Sequence, residues 1–255
     1  MIAQVNTPQR RRRFANACRG RWCLGAMLPL DLALFGASQP WRFYAGPTLA
    51  LELNGTTAWL AGHANPEELA SFLAFCGCER VILNAAECPL PTGWRRETTL
   101  TVFGIAPHTA LPLPAVEEAL WSTLTLETEP AASALAGALY PEQPQQRDDF
   151  YSELCTKRSR GKALAWALRR EGEIVCTVGA YALEARQGYM ACGQTAEPLR
   201  GCGIGGRLIV QMANDLAAKG LHPVFLAAPE RVHFYTRLGF QKLGELEQLV
   251  NEPIE

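Results

Sequence analysis

Leu199-Arg200-Gly201-Cys202-Gly203-Ile204-Gly205-Gly206-Arg207-Leu208 is the stretch that decides the reading of this chain. It places four glycines and two arginines between a segment of strand composition, Gly188 to Thr195, and a segment of helical periodicity, Ile204 to Lys219. Small residues at a helix start leave the first backbone N–H groups without partners. Those donors, with the positive end of the helix dipole, suit an anionic phosphate. Glycine also lets a ligand approach the main chain, because no Cβ intervenes.

Three phosphate-loop patterns compete for these residues. A P-loop needs G-x-x-x-x-G-K-[ST], but Gly206 is followed by Arg207-Leu208, so the lysine and the metal-binding hydroxyl are missing. The dinucleotide pattern G-x-G-x-x-G is met by Gly201, Gly203 and Gly206, and Glu230 lies about 20 residues on, where a ribose-binding acid would sit. Its context opposes it. Ala196 to Arg200 separate the strand from the first glycine, and the upstream segments read as antiparallel hairpins rather than alternating strands and helices. The third pattern, R-x-x-G-x-G, is met by Arg200, Gly203 and Gly205.

With that third pattern, Gly193 to Arg207 resembles the acetyl-CoA diphosphate loop of the GNAT N-acetyltransferase superfamily. Thr195-Ala196-Glu197-Pro198-Leu199-Arg200-Gly201-Cys202-Gly203-Ile204-Gly205 is close to the family's strand end and loop. A second block, Phe234-Tyr235-Thr236-Arg237-Leu238-Gly239-Phe240, is similar to its F-Y-x-x-L-G-F segment, at the family's distance from the first. One departure stands out. Pro229 occupies the position six residues before the tyrosine, where the family often has asparagine, so the resemblance does not carry over that asparagine's contact with the pantetheine arm.

Composition bounds the alternatives. The chain has 255 residues, 48% hydrophobic and 19% charged, which is ordinary globular usage. A net charge of -1 argues against a general nucleic-acid or membrane binder. No apolar run approaches the ~20 residues that span a bilayer. Nine cysteines lack metal-ligand spacing and the four histidines do not cluster, so no metal is expected. Cys76-Gly77-Cys78 reads as buried thiols rather than a redox pair. An odd cysteine count without a signal peptide points to the cytoplasm. Arg10 to Arg13, Arg19 and Arg21 form a basic block with no acid before Asp31. It reads as a solvated helix face, the alternatives being a targeting peptide or an anion-binding arm.

Along the chain, a proline-punctuated connection at Pro107, Pro112 and Pro114 divides two halves, residues 1–110 and 116–255. In the first, Phe14 to Gly36 reads as helical with a break near Pro29, and Trp41 to Ala45 as a strand. Leu49 to Leu53 and Thr56 to Ala61 flank Asn54-Gly55, a type I′ hairpin signal. Asn65-Pro66 with Glu68 is a helix start, and Leu69, Phe72, Leu73 and Cys76 form its apolar face. Arg80 to Asn84 and Thr98 to Ile105 read as strands. In the second half, Leu120 to Leu126 reads as a strand. Helices follow at Pro130 to Leu139 and Arg147 to Thr156, then strands at Ala163 to Arg169, Ile174 to Leu183 and Gly188 to Thr195. After the glycine loop and its helix come a strand at Pro223 to Ala227, the tyrosine helix, and a strand at Gln241 to Gln248. The resemblance implies a GNAT fold for this half, an α/β (α+β) arrangement whose mixed, mostly antiparallel sheet is flanked by helices. It is preceded by a smaller α/β domain whose element order fits a degenerate GNAT-like half.

What the resemblance implies for chemistry is acetyl transfer from acetyl-CoA to a primary amine of a small molecule, amino acid or peptide, by direct attack. The N–H groups of Gly201, Cys202, Gly203, Ile204, Gly205 and Gly206 would hold the diphosphate, with charge from Arg200 and Arg207. A main-chain N–H around Thr195, Ala196 and Glu197 would polarise the thioester carbonyl. Tyr235, whose phenol titrates near ~10, would protonate the departing thiolate; the alternative for it is a packed aromatic. Cys202 would not act as a nucleophile. Glu153, Glu173, Glu184, Glu230 and His233 are base candidates by type alone. The first half would wall the acceptor pocket or form a homodimer surface. The competing function is a catalytically degenerate acyl-CoA sensor or scaffold.

Overall fold

The computed structural model describes residues 1–251. They form two compact units. The first holds Met1–Phe103, Leu226–His233 and the described residues from Lys242 on; the second holds Gly104–Phe225 and Phe234–Gln241.

The elements begin with β1 (Ala3–Gln4), α1 (Pro8–Cys18), α2 (Leu24–Phe35), β2 (Arg42–Ala45), β3 (Leu49–Asn54) and β4 (Thr57–Gly62). Next come α3 (Pro66–Phe75), β5 (Arg80–Leu83), β6 (Trp94–Gly104), α4 (Glu118–Trp121), β7 (Thr125–Glu127), α5 (Ala132–Leu139) and α6 (Pro144–Ser159). A meander of β8 (Leu164–Arg170), β9 (Glu173–Glu184) and β10 (Gln187–Thr195) leads to α7 (Ile204–Ala218), β11 (His222–Ala227), α8 (Val232–Arg237) and β12 (Gln241–Asn251).

In the first unit the strand order is β1-β2-β3-β4-β5-β12-β6. β2, β3 and β4 are antiparallel neighbours, and β4 turns parallel to β5 over Thr57↔Arg80 to Trp59↔Ile82. β12 runs antiparallel to β5, Glu247↔Leu83 to Val250↔Arg80. Leu249 of β12 is fully buried among Leu51, Leu60, Leu69, Leu73 and Val81, so residues from the two ends of the described chain share one core. Phe14, Ala17 and Cys18 bury one side of α1, while Arg11, Arg12 and Arg13 face solvent. Arg11, Arg12, Arg13 and Arg19 are thus solvated, whereas Arg21 is part-buried and pairs with Glu87 at 2.5 Å. Thr7 caps this helix by accepting from the Arg10 amide.

Two local expectations shift. The helical break falls not at Pro29, which lies inside α2, but at Arg19 to Cys23, where Gly20 and Cys23 take left-handed φ values of 76° and 61°. The β3–β4 turn pairs Asn54 with Thr57, which makes Gly55-Thr56 its centre; only Gly55 has positive φ, so a type I′ turn is not formed. That geometry belongs to β8–β9, where Glu171 and Gly172 both have positive φ between Arg170 and Glu173. The α3 start is as expected: the Asn65 side chain accepts from the amides of Glu67 and Glu68.

The second unit orders its strands β11-β10-β9-β8-β7. All neighbours are antiparallel except β10–β11. Leu120 to Leu126 is not a strand throughout. Glu118–Trp121 forms a helical turn and only Thr125–Glu127 pairs, with β8. The hydroxyls of Ser122 and Thr123 donate to the carbonyls of Ala119 and Leu120, closing the turn at the expense of extended backbone. Leu135 of α5 and Leu154 of α6 pack with Ala163, Ala165, Ala167 and Tyr181. Helix α7 buries Ile204, Leu208, Met212 and Leu216 at helical spacing.

Candidate functional site

The site begins where two strands part. β10 and β11 are parallel over three pairs, Gln187↔His222 to Tyr189↔Val224. Beyond that point β10 continues for six residues, paired with β9. Its register slips once more: Ala191 faces Gly179 and Gln194 faces Thr177, so Cys192 and Gly193 together oppose Val178. This is a β-bulge, with Cys192 at φ 54° and its carbonyl accepting from the Thr177 hydroxyl. Gly193 and Gln194 are exposed although they lie in an inner strand.

The strand end leads to a 3₁₀ turn, Glu197–Leu199, then to the glycine loop. Gly201 and Gly203 take φ values of 81° and 84°, which a side chain would resist. Gly203 is the residue before α7 and offers no side-chain cap. The Arg207 amide donates to the Gly203 carbonyl, so the amides of Ile204, Gly205 and Gly206 precede the first intrahelical bond. α7 carries no acid in its first turn.

The four glycines have different reasons. A Cβ at Gly201 would meet nothing within 4 Å, which leaves its main chain approachable. At Gly203 it would lie 3.0 Å from the Ala115 carbonyl oxygen. At Gly205 it would lie 2.6 Å from Thr195 Oγ1, and at Gly206 3.3 Å from Leu238 Cδ2 and 3.5 Å from Phe234 Cζ. Gly205 and Gly206 therefore serve packing: they let α7 close on β10 and on α8. This close approach brings the two sequence blocks together.

Tyr235 lies on α8, half-buried, its ring 4.5 Å from that of Phe225, 5.0 Å from Phe234 and 6.2 Å from Phe240. The aromatic cluster fixes the ring. A 3₁₀ turn, Pro229–Arg231, joins β11 to α8 at the position of the family departure.

Arg200 is exposed and its Nε donates to the Thr195 carbonyl, tying the loop back to the strand. The Ala196 amide donates to the Val175 carbonyl, so that N–H is committed to the sheet. Glu197 and Cys202 are exposed. Among the base candidates, Glu153 pairs with Lys157 at 2.6 Å and Glu184 with Lys162 at 2.7 Å. Glu173, Glu230 and His233 are exposed, the last two lying five and two residues before Tyr235 in sequence.

Near the bulge stand groups that sequence reasoning did not single out. Burial pushes the Cys192 thiol up to about 11 and the Tyr140 phenol up to about 12, and it raises the Tyr181 phenol well above its ordinary value. At neutral pH they are uncharged. A cavity of about 70 Å³, lined by Ala138, Ile174 to Thr177, Gln194 and Ala196, adds a neutral wall. The signal for the bulge was Gly193 inside a strand pattern. Trp121, stacked on Arg207, had no signal. Among the described residues there is no group of three or more His, Cys, Asp or Glu able to hold a metal, and no helix long and apolar enough to cross a membrane.

Residues 161–242 match the acetyltransferase (GNAT) domain family. The span contains both sequence blocks, so this part of the chain carries a GNAT acetyltransferase domain. The solved structures it resembles include a tandem GNAT protein from the clavulanic acid biosynthesis pathway, at 12% identity and a TM-score of 0.62, covering 100% of this chain and 99% of that one. A GCN5-related N-acetyltransferase from Sphaerobacter thermophilus aligns at 15% identity and 0.62, over 88% of this chain and 84% of that one. A GCN5-related N-acetyltransferase-like protein from Streptococcus suis 89/1591 aligns at 16% and 0.60, over 95% and 98%. At these identities the likeness is one of fold: a GNAT fold with a mostly antiparallel sheet flanked by helices. No curated protein matches the sequence.

Proposed function

We propose that the second unit is an acetyl-CoA-dependent N-acetyltransferase that acetylates a primary amine of a small molecule, amino acid or peptide by direct attack. The observation that carries this reading is the start of α7: uncapped, acid-free, begun on a left-handed glycine and flanked by Arg200 and Arg207. Such a helix end stabilises an anion through bare amides and dipole together. The loop fits a diphosphate, since Gly201 leaves the main chain open and the arginines supply charge.

The parting of β10 from β11 gives the rest of the ligand its place. A strand edge freed beyond Tyr189↔Val224 can bond the amides of an extended pantetheine arm, as an added strand would. The carbonyl-polarising N–H then comes from the bulge at Cys192-Gly193 in preference to Ala196, whose amide serves the sheet. The amine nitrogen forms the C–N bond, the C–S bond breaks, and the thiolate takes a proton from the Tyr235 phenol. The amine's own proton leaves through water or through an exposed base, since Glu153 and Glu184 are held by lysines.

Net charge, the cysteine pattern and the neutral site walls support a cytoplasmic enzyme acting on small or peptide amines, without nucleic acid or membrane as partner; a homodimer is compatible with this reading. Pro229 and the lysine-held carboxylates support the second reading, an acyl-CoA sensor or scaffold. Release of free coenzyme A thiol from acetyl-CoA with a panel of amines tests the proposal. Thiol release with any amine supports the enzyme; tight binding of acetyl-CoA without release by any amine overturns it in favour of the sensor. Stabilisation by NAD but not by acetyl-CoA would overturn both.

A further inference from the structure

Arg207 occupies an electrostatically costly position. It lies in the first turn of α7, where the positive helix end disfavours a cation. Among the described residues no carboxylate pairs with it, and its Nε is enclosed without a hydrogen-bond partner. What holds the guanidinium is the ring of Trp121, with Cζ 4.2 Å from the ring centroid.

Trp121 ends α4, in the segment that precedes the meander. That segment is pinned to α7 and its surroundings at several points. The Asn214 side chain exchanges two hydrogen bonds with the Leu111 backbone, both 2.8 Å. Leu111 Cδ2 stands 3.1 Å from where a Cβ at Gly239 would lie. The Ala115 carbonyl and Val116 Cγ2 abut the Cβ position of Gly203, at 3.0 and 3.5 Å. Residues 111–121 thus follow α7 back to its first turn and deliver an indole there.

A ring is a particular kind of partner for a guanidinium. A carboxylate would neutralise it and occupy its donors. A flat stack on an aromatic face leaves the N–H groups at the rim free to meet phosphate oxygens, while restricting the side chain's rotamers beforehand. We infer that Trp121 is a positioning residue for phosphate binding: it holds the Arg207 guanidinium at the start of α7 so that it meets a phosphate of coenzyme A. This rests on the acetyl-CoA reading above. The phosphate is either the diphosphate or the 3′-phosphate of the nucleotide, which share the chemistry.

Calorimetric titration of coenzyme A into wild type, Trp121→Ala, Trp121→Phe, Arg207→Gln and the Trp121→Ala/Arg207→Gln double variant tests the inference. Trp121→Ala weakens binding about three- to tenfold and Trp121→Phe recovers most of it. In the Arg207→Gln background, Trp121→Ala costs nothing further. In turnover, Trp121→Ala raises KM for acetyl-CoA and leaves kcat at saturation unchanged. Trp121→Leu, which keeps bulk without an aromatic face, replaces Trp121→Ala if that variant fails to fold, with the same expectation. Titration of 3′-dephospho-CoA assigns the phosphate: a penalty that persists points to the diphosphate, one that vanishes to the 3′-phosphate. Wild-type affinity in Trp121→Ala, or additive losses in the double variant, overturns the inference. Failure of the wild type to bind coenzyme A is a separate result, and overturns the acetyl-CoA reading itself.

Discussion

Helices α3 and α7 begin in comparable places, one in each unit. Each follows a strand that runs parallel to the next strand for three residue pairs, β4 with β5 and β10 with β11. The helix starts nevertheless differ in every respect that matters to an anion. Only residues 63–65 separate β4 from α3, whereas residues 196–203 separate β10 from α7. At α3 the Asn65 side chain consumes the amides of Glu67 and Glu68, and those two carboxylates repel further negative charge. At α7 a glycine stands where the cap would be, the first turn holds no acid, and Arg200 and Arg207 lie on either side of it in sequence. A repeated sheet pattern therefore does not repeat the chemistry. What a helix start does is set by its cap and by the charges of its first turn.

The comparison can be broken most severely at Gly203. Gly203→Glu puts a side chain on left-handed backbone, 3.0 Å from the Ala115 carbonyl, and a carboxylate at the anion site. We expect coenzyme A affinity to fall by at least about 100-fold, read by calorimetry. Removing the Tyr235 hydroxyl acts on a different quantity. Tyr235→Phe lowers kcat by about 10²-fold while the dissociation constant for coenzyme A stays within about twofold, as expected of a proton donor that acts after binding. Unchanged turnover removes the phenol from the mechanism.

The opposite change belongs at α3. Asn65→Ala costs about 1 kcal/mol of stability in denaturant titration and leaves coenzyme A binding unaltered, because the residue is a cap and nothing more. A loss of coenzyme A affinity in this variant would mean that the first unit's helix start also serves the ligand. The smallest effect is one the two units share. Burial raises the thiols of Cys18 and Cys78 to about 12 and that of Cys192 to about 11, from an ordinary value of 9.0. They remain neutral in the folded protein, while unfolded thiols ionise above pH 9. Their contribution is complete below pH 9 and is lost as pH rises above it, the loss levelling off near pH 11 for Cys192 and later for the other two. Denaturation midpoints measured from pH 7 to pH 11 should hold steady and then decline; a midpoint that rises above pH 9 contradicts this.

Much of this contrast was legible in the residues. Asn65-Pro66 with Glu68 announced a capped helix, and Arg200 to Arg207 announced an uncapped one, because both signals are local. The hairpin turn at Glu171-Gly172 and the helix stop at Lys219-Gly220 are local in the same way. Other features were hidden because they depend on distant partners. Gly205 and Gly206 also have a packing role, against Thr195, Phe234 and Leu238, which the local loop pattern did not announce. The stack of Trp121 on Arg207 joins residues 86 positions apart through a segment that carries no periodic pattern. Leu120 to Leu126 had the composition of a strand, but two hydroxyls closing a turn outweighed that weak preference.

Strand β12 lies between β5 and β6, with Glu247 bonded to Arg96 at 2.6 Å and Leu249 sealed into the leucine cluster of the first unit. On the ribosome, β6 emerges long before residue 241 is made. The earlier-made unit must then wait, with a gap in the middle of its sheet, until the second unit has been synthesised. Folding of the first unit is thereby tied to synthesis of residues 241–251, and a fragment cut in the connection would expose two strand edges that nothing within it can join.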